Sequence, residues 1–421
     1  MGHIGSSPPA RPKAPMSTSV EHPAHDRGPG GWLILAFAIA CGVTVANLYY
    51  AQPLVGSIAE SFGLDLSNAG VMMTMVMFGY VLGLLFLAPL GDLVENKSLI
   101  LITLGALIAS LLIAAVSPTA TVFVIASLLV GISAVATQMI LPVVAHLAPE
   151  RRRGQIVGTV MSGLLFGILL SRPVATMVAG TFGWRAVFAI SAVLMGGVLV
   201  LMAIALPRRK PEHSLNYVKL IHSLGHLALT TKVLHRRGAY QFLMFGTFSM
   251  FWTSMPLVLE EPPFSLGYVA MSAFLLSGAS GAFVAPLAGR MADHGRGNTT
   301  TMIAMALVLF SFALTWLGGH MSGATAIAIF VIAGILIDAG TQANFVTGQR
   351  SIYALPAQTR SRLNALYLAS AFFGGTIGAA VSGFAVAHGG TTAIGLIGMG
   401  AAALALVLLG LEVSKRRRKT D

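Results

Sequence analysis

The stretch SLILITLGALIASLLIAAV, residues 98–116, decides the class of fold. It is 19 residues long and contains no charged side chain. About 20 apolar residues in a helix cross the hydrocarbon core of a bilayer. The sequence therefore predicts a transmembrane helix over this stretch.

The same composition extends over nearly the whole chain. Of the 421 residues, 56% are hydrophobic and 10% are charged, and the mean hydropathy is +0.81. Soluble domains carry about 25% charged residues, so a soluble enzyme and a disordered protein are both excluded. The apolar runs are continuous and do not alternate with polar residues, which excludes an outer-membrane barrel. The single cysteine, Cys41, excludes an intramolecular disulfide.

Apolar runs predict an all-α integral membrane protein with twelve transmembrane helices, α1 to α12 in chain order. Residues 1–31 are rich in Pro, Ser and Gly and are predicted to be a disordered tail. The linker 207–237 is basic and is either a short amphipathic helix on the membrane surface or a plain connection. Residues 413–421 form a basic tail. The helices are predicted at 32–56, 68–90, 98–116, 119–147, 154–180, 184–206, 238–259, 266–289, 299–317, 323–348, 360–387 and 391–412.

The basic residues predict the orientation of the chain in the membrane. With both termini inside, all of the 26 Lys and Arg residues except Arg172 in α5 and Arg185 fall in the tails and the inner loops. This is a strong positive-inside pattern. The net charge of +12 therefore indicates topology and attraction to anionic lipids. Nucleic-acid binding is not expected, because the basic residues are spread over many short loops.

The chain contains an internal repeat. Residues 32–206 and 238–412 each span 175 residues, and landmarks recur at nearly the same offsets. Ala-Pro-Leu closes α2 at 88–90 and α8 at 285–287, and Thr-Gln occurs at 137–138 and 341–342. Repeats of this length are common in transporters, which bind substrate between them. The sequence predicts two pseudo-symmetric six-helix bundles.

At this point the sequence resembles the major facilitator superfamily, and more narrowly its bacterial twelve-helix branch of drug:proton antiporters and sugar-efflux permeases. The resemblance implies alternating access, a bacterial inner-membrane location with both termini cytoplasmic, and no cofactor. In this family the loop motif after α2 and α8 holds the bundles together on the cytoplasmic side, which implies a cytoplasmic gate at Asp92, Asp293 and Arg296. The stretches that carry the resemblance are NLYYAQPL (47–54), APLGDLVENK (88–97), GTVMSGLLFGILLSRP (158–173), APLAGRMADHGR (285–296) and DAGTQANFVTGQ (338–349).

Only two charged residues lie well inside the predicted spans, Arg172 in α5 and Asp338 in α10. Both break the repeat, since Ala379 and Ala134 occupy the equivalent positions. We expect Asp338 to be the proton-coupling acid, or else a carboxylate hydrogen-bonded to neighbouring helices. We expect Arg172 to contact an anionic or polar substrate group, or else to pack against helix carbonyls. A height difference of about 12 Å, at about 1.5 Å per residue, argues against a salt bridge between them.

Further polar and aromatic residues of α1, α4, α7 and α10 are candidates for substrate binding, because these helices line the central cavity in the family. About half of them are alternatively expected to link helices. Glycines of α5 and α11 allow close helix contact and are expected at the interface between the bundles: Gly163, Gly167, Gly374, Gly375 and Gly378. The substrate candidates are Asn47, Tyr49, Tyr50, Gln52, Gln138, Trp252, Thr253, Gln342 and Asn344.

The leading interpretation is a secondary active transporter, a proton-coupled antiporter that exports small amphipathic or multidrug-type compounds. The alternative is a transporter of one polar metabolite, such as a sugar, amino acid or organic acid, in either direction. A third interpretation is an intramembrane serine protease built on the Gly-Ala-Ser-Gly of 278–281, but no histidine is predicted in a span. We therefore expect a monomeric transporter without enzymatic activity and without a metal site.

Overall fold

The computed structural model describes residue 2 and residues 30–208 and 216–417. Most of the predicted disordered tail, part of the basic linker and the last four residues of the basic C-terminal tail lie outside the described residues. Over the described ranges the chain is helical and contains no strand. Within residues 30–208 and 216–417 the fold confirms the predicted class, an all-α membrane protein with twelve membrane helices in two six-helix bundles.

The helix bounds agree closely with the sequence predictions. Among the described residues, ten helical segments are long and apolar enough to cross a membrane. The last of them, Arg360–Arg417, contains both α11 and α12, which meet at the non-helical residue Gly390 with φ 53°. The remaining helix, α1, is broken into Gly31–Ala46 and Val55–Ser61. The others are α2 Gly70–Asp92, α3 Asn96–Val116, α4 Ala120–Leu147, α5 Glu150–Phe182, α6 Trp184–Ala205, α7 Lys232–Glu260, α8 Tyr268–Asp293, α9 Gly297–Gly318 and α10 Gly323–Tyr353.

The break in α1 follows from its sequence. Pro53 has no backbone N–H, and the segment around it forms a turn and a short 3₁₀ helix, Gln52–Leu54. The break directs neighbouring side chains to different partners. Asn47 accepts a hydrogen bond from Ser191 of α6 at 2.6 Å, and Tyr49 lines the central cavity. Gln52 reaches α7 of the other bundle.

Close glycine contacts occur inside each bundle. The backbone of Gly42 in α1 lies against Gly163 and Gly167 of α5. The backbone of Gly246 in α7 lies in the same way against Gly374 of α11, and Gly378 follows one turn further along α11. The expectation that these glycines lie between the bundles was wrong. Their small size instead brings the first and fifth helices of each bundle together.

The two bundles touch at one end of the molecule and separate toward the other. We call the end that carries the start of α1 and the end of α12 the inner end, and the opposite end the outer end. Toward the outer end, Gln52 Nε2 donates to Thr253 Oγ1 at 3.2 Å, and Ser272 Oγ donates to the carbonyl of Pro173 at 3.1 Å. Toward the inner end a cavity of about 1290 Å³ lies between the bundles.

A helix in the linker, Tyr217–Thr230, bridges the two bundles at the inner end. We call it the linker helix. Its Tyr217 hydroxyl donates to the carbonyl of Phe86 in α2 at 2.9 Å, and its Ser223 hydroxyl accepts from Arg362 of α11 at 2.7 Å. Leu224 is buried and lines the cavity. Its placement on a membrane surface stays a prediction.

Candidate substrate and proton site

The central cavity combines aromatic rings with a few amides and one carboxylate. Helices of both bundles contribute to its wall, and no basic side chain lines its middle part among the described residues. Aromatic rings offer broad apolar contact, while amides fix the orientation of a ligand. The principal residues are Tyr49, Tyr80, Gln138, Gln241, Phe245, Phe248, Asp338, Gln342 and Phe372.

Asp338 lies in the middle of α10 and faces this cavity. It is 8% exposed, and it is the only buried carboxylate among the described residues. Its Oδ2 accepts a hydrogen bond from the backbone N–H of Gly281 in α8 at 2.7 Å. A side chain at Gly281 would occupy the space of this carboxylate. The glycine therefore allows α8 to hold the carboxylate with its backbone while the cavity gives access for a proton.

Arg172 lies above the cavity in α5 and is 2% exposed. Its Nε donates to Gln52 Oε1 at 2.8 Å. Its guanidinium carbon lies 5.2, 5.1 and 4.9 Å from the ring centres of Tyr49, Phe248 and Trp252. Cation–π contacts of this kind stabilise a desolvated guanidinium. The buried Nη2 has no hydrogen-bond partner in the protein.

The two buried charges lie near one turn of α8 without forming an ion pair. No N–O distance within 4.0 Å joins Arg172 to Asp338 in the described part of the chain. An atom added at Gly278 would lie 3.3 Å from Arg172 Nη1, and Gly281 donates to Asp338. These glycines are three residues apart, about 4.5 Å of helical rise. The charged groups are therefore closer in height than the 12 Å of the sequence estimate, because the arginine side chain is long.

Several predicted substrate residues make helix-to-helix contacts instead of lining the cavity. Asn47 and Asn344 are each hydrogen-bonded, Asn47 to Ser191 and Asn344 Nδ2 to Gln241 Oε1 at 2.8 Å. Tyr50 is buried outside the cavity lining. The cavity wall includes Tyr49, Gln138 and Gln342 among the predicted residues. Gln52, Arg172, Trp252 and Thr253 form a buried group just beyond its outer end.

The sequence reasoning missed several polar residues of the cavity, among them Gln241 and Tyr80. Gln241 stands among apolar residues in α7, and this contrast could have marked it. Tyr80 accepts a hydrogen bond from Gln138 Nε2 at 3.1 Å, and its ring lies 4.4 Å from that of Phe372 in the other bundle. No sequence signal identifies this pairing, because it depends on how α2 packs against α11.

The predicted cytoplasmic gate does not join the bundles in this structure. Asp293 forms an ion pair with Arg350 of α10, which belongs to the same bundle. Gly289 leaves room for the guanidinium of Arg350 beside α8. Asp92 lines the inner mouth of the cavity, and Arg296 is exposed. The expected latch is open here because the bundles are separated at the inner end.

The serine of the Gly-Ala-Ser-Gly sequence has a structural partner. Ser280 Oγ donates to the carbonyl of Ile335 in α10 at 2.8 Å. No histidine is buried among the described residues. A hydrolytic serine needs a general base within hydrogen-bond reach. The structure therefore does not support the protease interpretation.

Known proteins resemble this chain along most of its length. The family model of the Major Facilitator Superfamily matches residues 33–353. The chain is 38% identical over 387 residues to the uncharacterized transporter YgaY of Escherichia coli O157:H7, covering 92% of this chain and 96% of that one. It is 32% identical over 392 residues to the probable transporter SCO4007 of Streptomyces coelicolor, covering 91% and 90%. A crystal structure of the nucleoside transporter NupG superposes with a TM-score of 0.70 at 15% identity, covering 91% and 99%.

The chain belongs to the Major Facilitator Superfamily. It is a secondary transporter and a multi-pass protein of the bacterial inner membrane. The likeness to NupG concerns the fold alone, since the two sequences share only 15% identity.

Proposed function

We propose that this protein exports small amphipathic compounds in exchange for protons, with Asp338 as the proton-carrying residue. One observation supports this most directly: the single buried carboxylate of the described chain lines the cavity between the bundles. A charged group inside a membrane span is costly, at about 2.5–3.5 kcal/mol on insertion scales. A proton on Asp338 removes this cost, so that proton uptake and substrate release can alternate at one place.

In the proposed cycle, the structure corresponds to the state that is open to the cytoplasm, with both termini cytoplasmic. Substrate enters the cavity and displaces the proton of Asp338. The bundles then rock, so that the outer contacts through Gln52 and Thr253 open and the inner mouth closes. Asp92, Asp293 and Arg296 are the proposed cytoplasmic gate in that closed state. Protonation of Asp338 from the outside favours release and return.

The lining of the cavity supports an amphipathic substrate. Rings from both bundles surround the middle of the cavity, and Gln138, Gln241 and Gln342 are the amides near them. This combination suits a ligand with a large apolar part and a few hydrogen-bonding groups. We propose that the protein acts as a monomer without enzymatic activity, and that its inner basic residues bind anionic lipids and not nucleic acid.

A second candidate function is transport of one polar metabolite, such as a sugar, amino acid or organic acid. The observation that favours it is the unpartnered Nη2 of the buried Arg172. A guanidinium with a spare donor can bind a carboxylate or hydroxyl group of a substrate. Under this alternative, Gln52 positions Arg172 and the substrate reaches the outer end of the cavity.

Transport in proteoliposomes with pH gradient and membrane potential set separately tests the proposal. Asp338→Asn should abolish transport driven by a pH gradient while substrate exchange without net proton movement continues. Asp65→Asn is the matched control, because Asp65 is exposed in the loop between α1 and α2 and lines neither the cavity nor the proposed gate. Full pH-driven transport by Asp338→Asn would overturn the role of Asp338.

A panel of solutes separates the two candidate functions. Efflux of several unrelated amphipathic dyes supports the first. Saturable transport of a single polar solute, lost in Arg172→Gln, supports the second and contradicts the first.

A further inference from the structure

The two bundles meet along two seams, and one of them is closed over most of its length. The first seam joins α2 to α11. The backbone of Gly70 in α2 lies against the carbonyl of Ala379, and Tyr80 packs on Phe372. Contact continues through Gly83–Leu87 toward the inner end. From Gly70 to Leu87 this seam is closed over about 26 Å, at about 1.5 Å per residue.

The second seam joins α5 to α8 and is closed only at its outer part. Gly180 of α5 lies against the ring of Tyr268, and Ser272 donates to the carbonyl of Pro173. Contacts with α5 run along Tyr268–Ala279 of α8, about 17 Å at 1.5 Å per residue. Among the described residues, the rest of α8, Ser280–Asp293, has no comparable packing against α5.

Below this point the two helices of the second seam form opposite sides of an opening. Met161, Leu165 and Ile168 of α5 line the cavity from one side, and Ala282 and Ala285 of α8 line it from the other. All of these side chains are apolar. At this depth, between the middle and the inner end, the described parts of α5 and α8 do not pack together, and both line the cavity with apolar side chains.

The lipid-facing surface beside this opening is apolar too. Phe166 of α5 is 63% exposed, and Phe283 of α8 is 80% exposed. Leu287, one turn further along α8, is 59% exposed. These side chains flank the opening and extend its apolar wall outward. Phe166, Phe283 and Leu287 give this surface apolar side chains, and the exposed Arg290 lies about one turn further along α8 toward the inner end.

We infer that the inner part of the α5–α8 seam is a lateral portal, through which an amphipathic substrate dissolved in the inner leaflet enters the cavity. This inference rests on the proposed function and narrows its substrate class to membrane-partitioned amphiphiles. Each buried CH₂ group favours the membrane by about 0.8 kcal/mol, so such a compound is concentrated where the portal opens. Its polar group then meets Asp338 and Gln342 of α10, and its apolar part contacts the cavity rings.

A fluorescence experiment tests the portal without depending on transport. Ala285→Cys and Ala88→Cys are labelled with bimane, one variant at a time, and placed in nanodiscs whose phospholipids carry brominated acyl chains. Ala88 is the matched control, because it is the repeat equivalent of Ala285 and lines the same cavity beside the closed seam. The native Cys41 is fully buried and does not compete for the label.

Brominated chains should quench bimane at position 285 at least twofold more strongly than at position 88. An amphipathic dye should lower this quenching, because the dye and the lipid chain compete for the portal. Equal quenching at both positions would overturn the portal. Quenching that the dye does not change would also overturn the inference, since the opening would then hold lipid and not admit substrate.

A transport measurement tests whether the portal is used. Ala282→Trp narrows the opening and should lower the initial rate for a membrane-partitioned dye at least fivefold. Ala109→Trp, on the exposed face of α3 away from both seams and outside the cavity lining, should change it less than twofold. Equal effects would contradict the inference, and so would strong lipid quenching in a protein that moves only water-soluble solutes. If these assays show transport without proton coupling, the proposed role of Asp338 is contradicted and the inferred portal is not.

Discussion

Replacing Thr253 with valine removes one hydrogen bond between the bundles and should weaken the closed outer end. Thr253 Oγ1 accepts from Gln52 Nε2 at 3.2 Å, and both side chains are fully buried. Valine has nearly the same shape, so that packing is kept. A buried neutral hydrogen bond contributes about 0.5–1.5 kcal/mol net. The carbonyl of Ser249, 3.5 Å from the same amide, offers a weaker replacement and places the loss at the lower end of this range.

This loss can be expressed as a change in conformational populations. Since about 1.4 kcal/mol corresponds to a tenfold change, the ratio of outward-open to inward-open molecules should rise about 2- to 5-fold. Double electron–electron resonance measures this ratio directly. Spin labels at Glu60 and Glu261 report the separation of α1 and α7 at the outer end, where both residues are exposed. The population at long distance should increase in Thr253→Val.

A matched variant controls for the substitution itself. Thr247→Val lies on the same helix, but the hydroxyl of Thr247 donates to the carbonyl of Met244 within α7 at 2.8 Å. It should leave the distance distribution unchanged. If Thr253→Val shifts the populations by less than 1.5-fold, or no more than Thr247→Val does, the Gln52–Thr253 contact does not hold the outer end closed.

Two further substitutions test individual contacts. Gly167→Ala places a methyl group against the backbone of α1 and should lower the free energy of unfolding by about 1–3 kcal/mol, as in overpacked cores. Thermal denaturation in detergent measures this loss. Gly158→Ala is the control and should have little effect, because the space around Gly158 is open. Gly281→Ala places a methyl where the carboxylate of Asp338 lies. The charged hydrogen bond, worth about 1.5–3 kcal/mol, is lost, so that initial transport rates should fall at least tenfold and stability should fall by an amount similar to that of Gly167→Ala. Unchanged rates would show that this contact is not needed for transport.

The membrane helices could be predicted from sequence because each is a long apolar run with short polar ends. The positions of Arg172 and Asp338 could be selected for the same reason, since a charge stands out in such a run. The hydrogen-bond partners of the buried polar side chains could not be predicted from sequence. Nothing in the sequence indicates that Gln52 joins Arg172 to Thr253, because this depends on the break in α1 and on the crossing of α1 with α7. The roles of the glycines were misassigned for the same reason: spacing indicates close contact but not which helix provides it.

The repeat is broken at one equivalent position of the two seams. In α11 this position is Ala379, whose small side chain allows its backbone carbonyl to lie against Gly70 of α2. In α5 the position is Arg172, whose long side chain turns inward to Gly278 and the aromatic rings. In the first seam the alanine allows a backbone contact between the bundles. In the second seam the arginine places a positive charge at the equivalent position. The same substitution that separates this chain from perfect symmetry thus supplies a buried cation next to the cavity. At this level both seams are closed, the first through Gly70 and Ala379 and the second through Ser272 and Pro173. The broken position therefore changes the charge of its seam and not its closure.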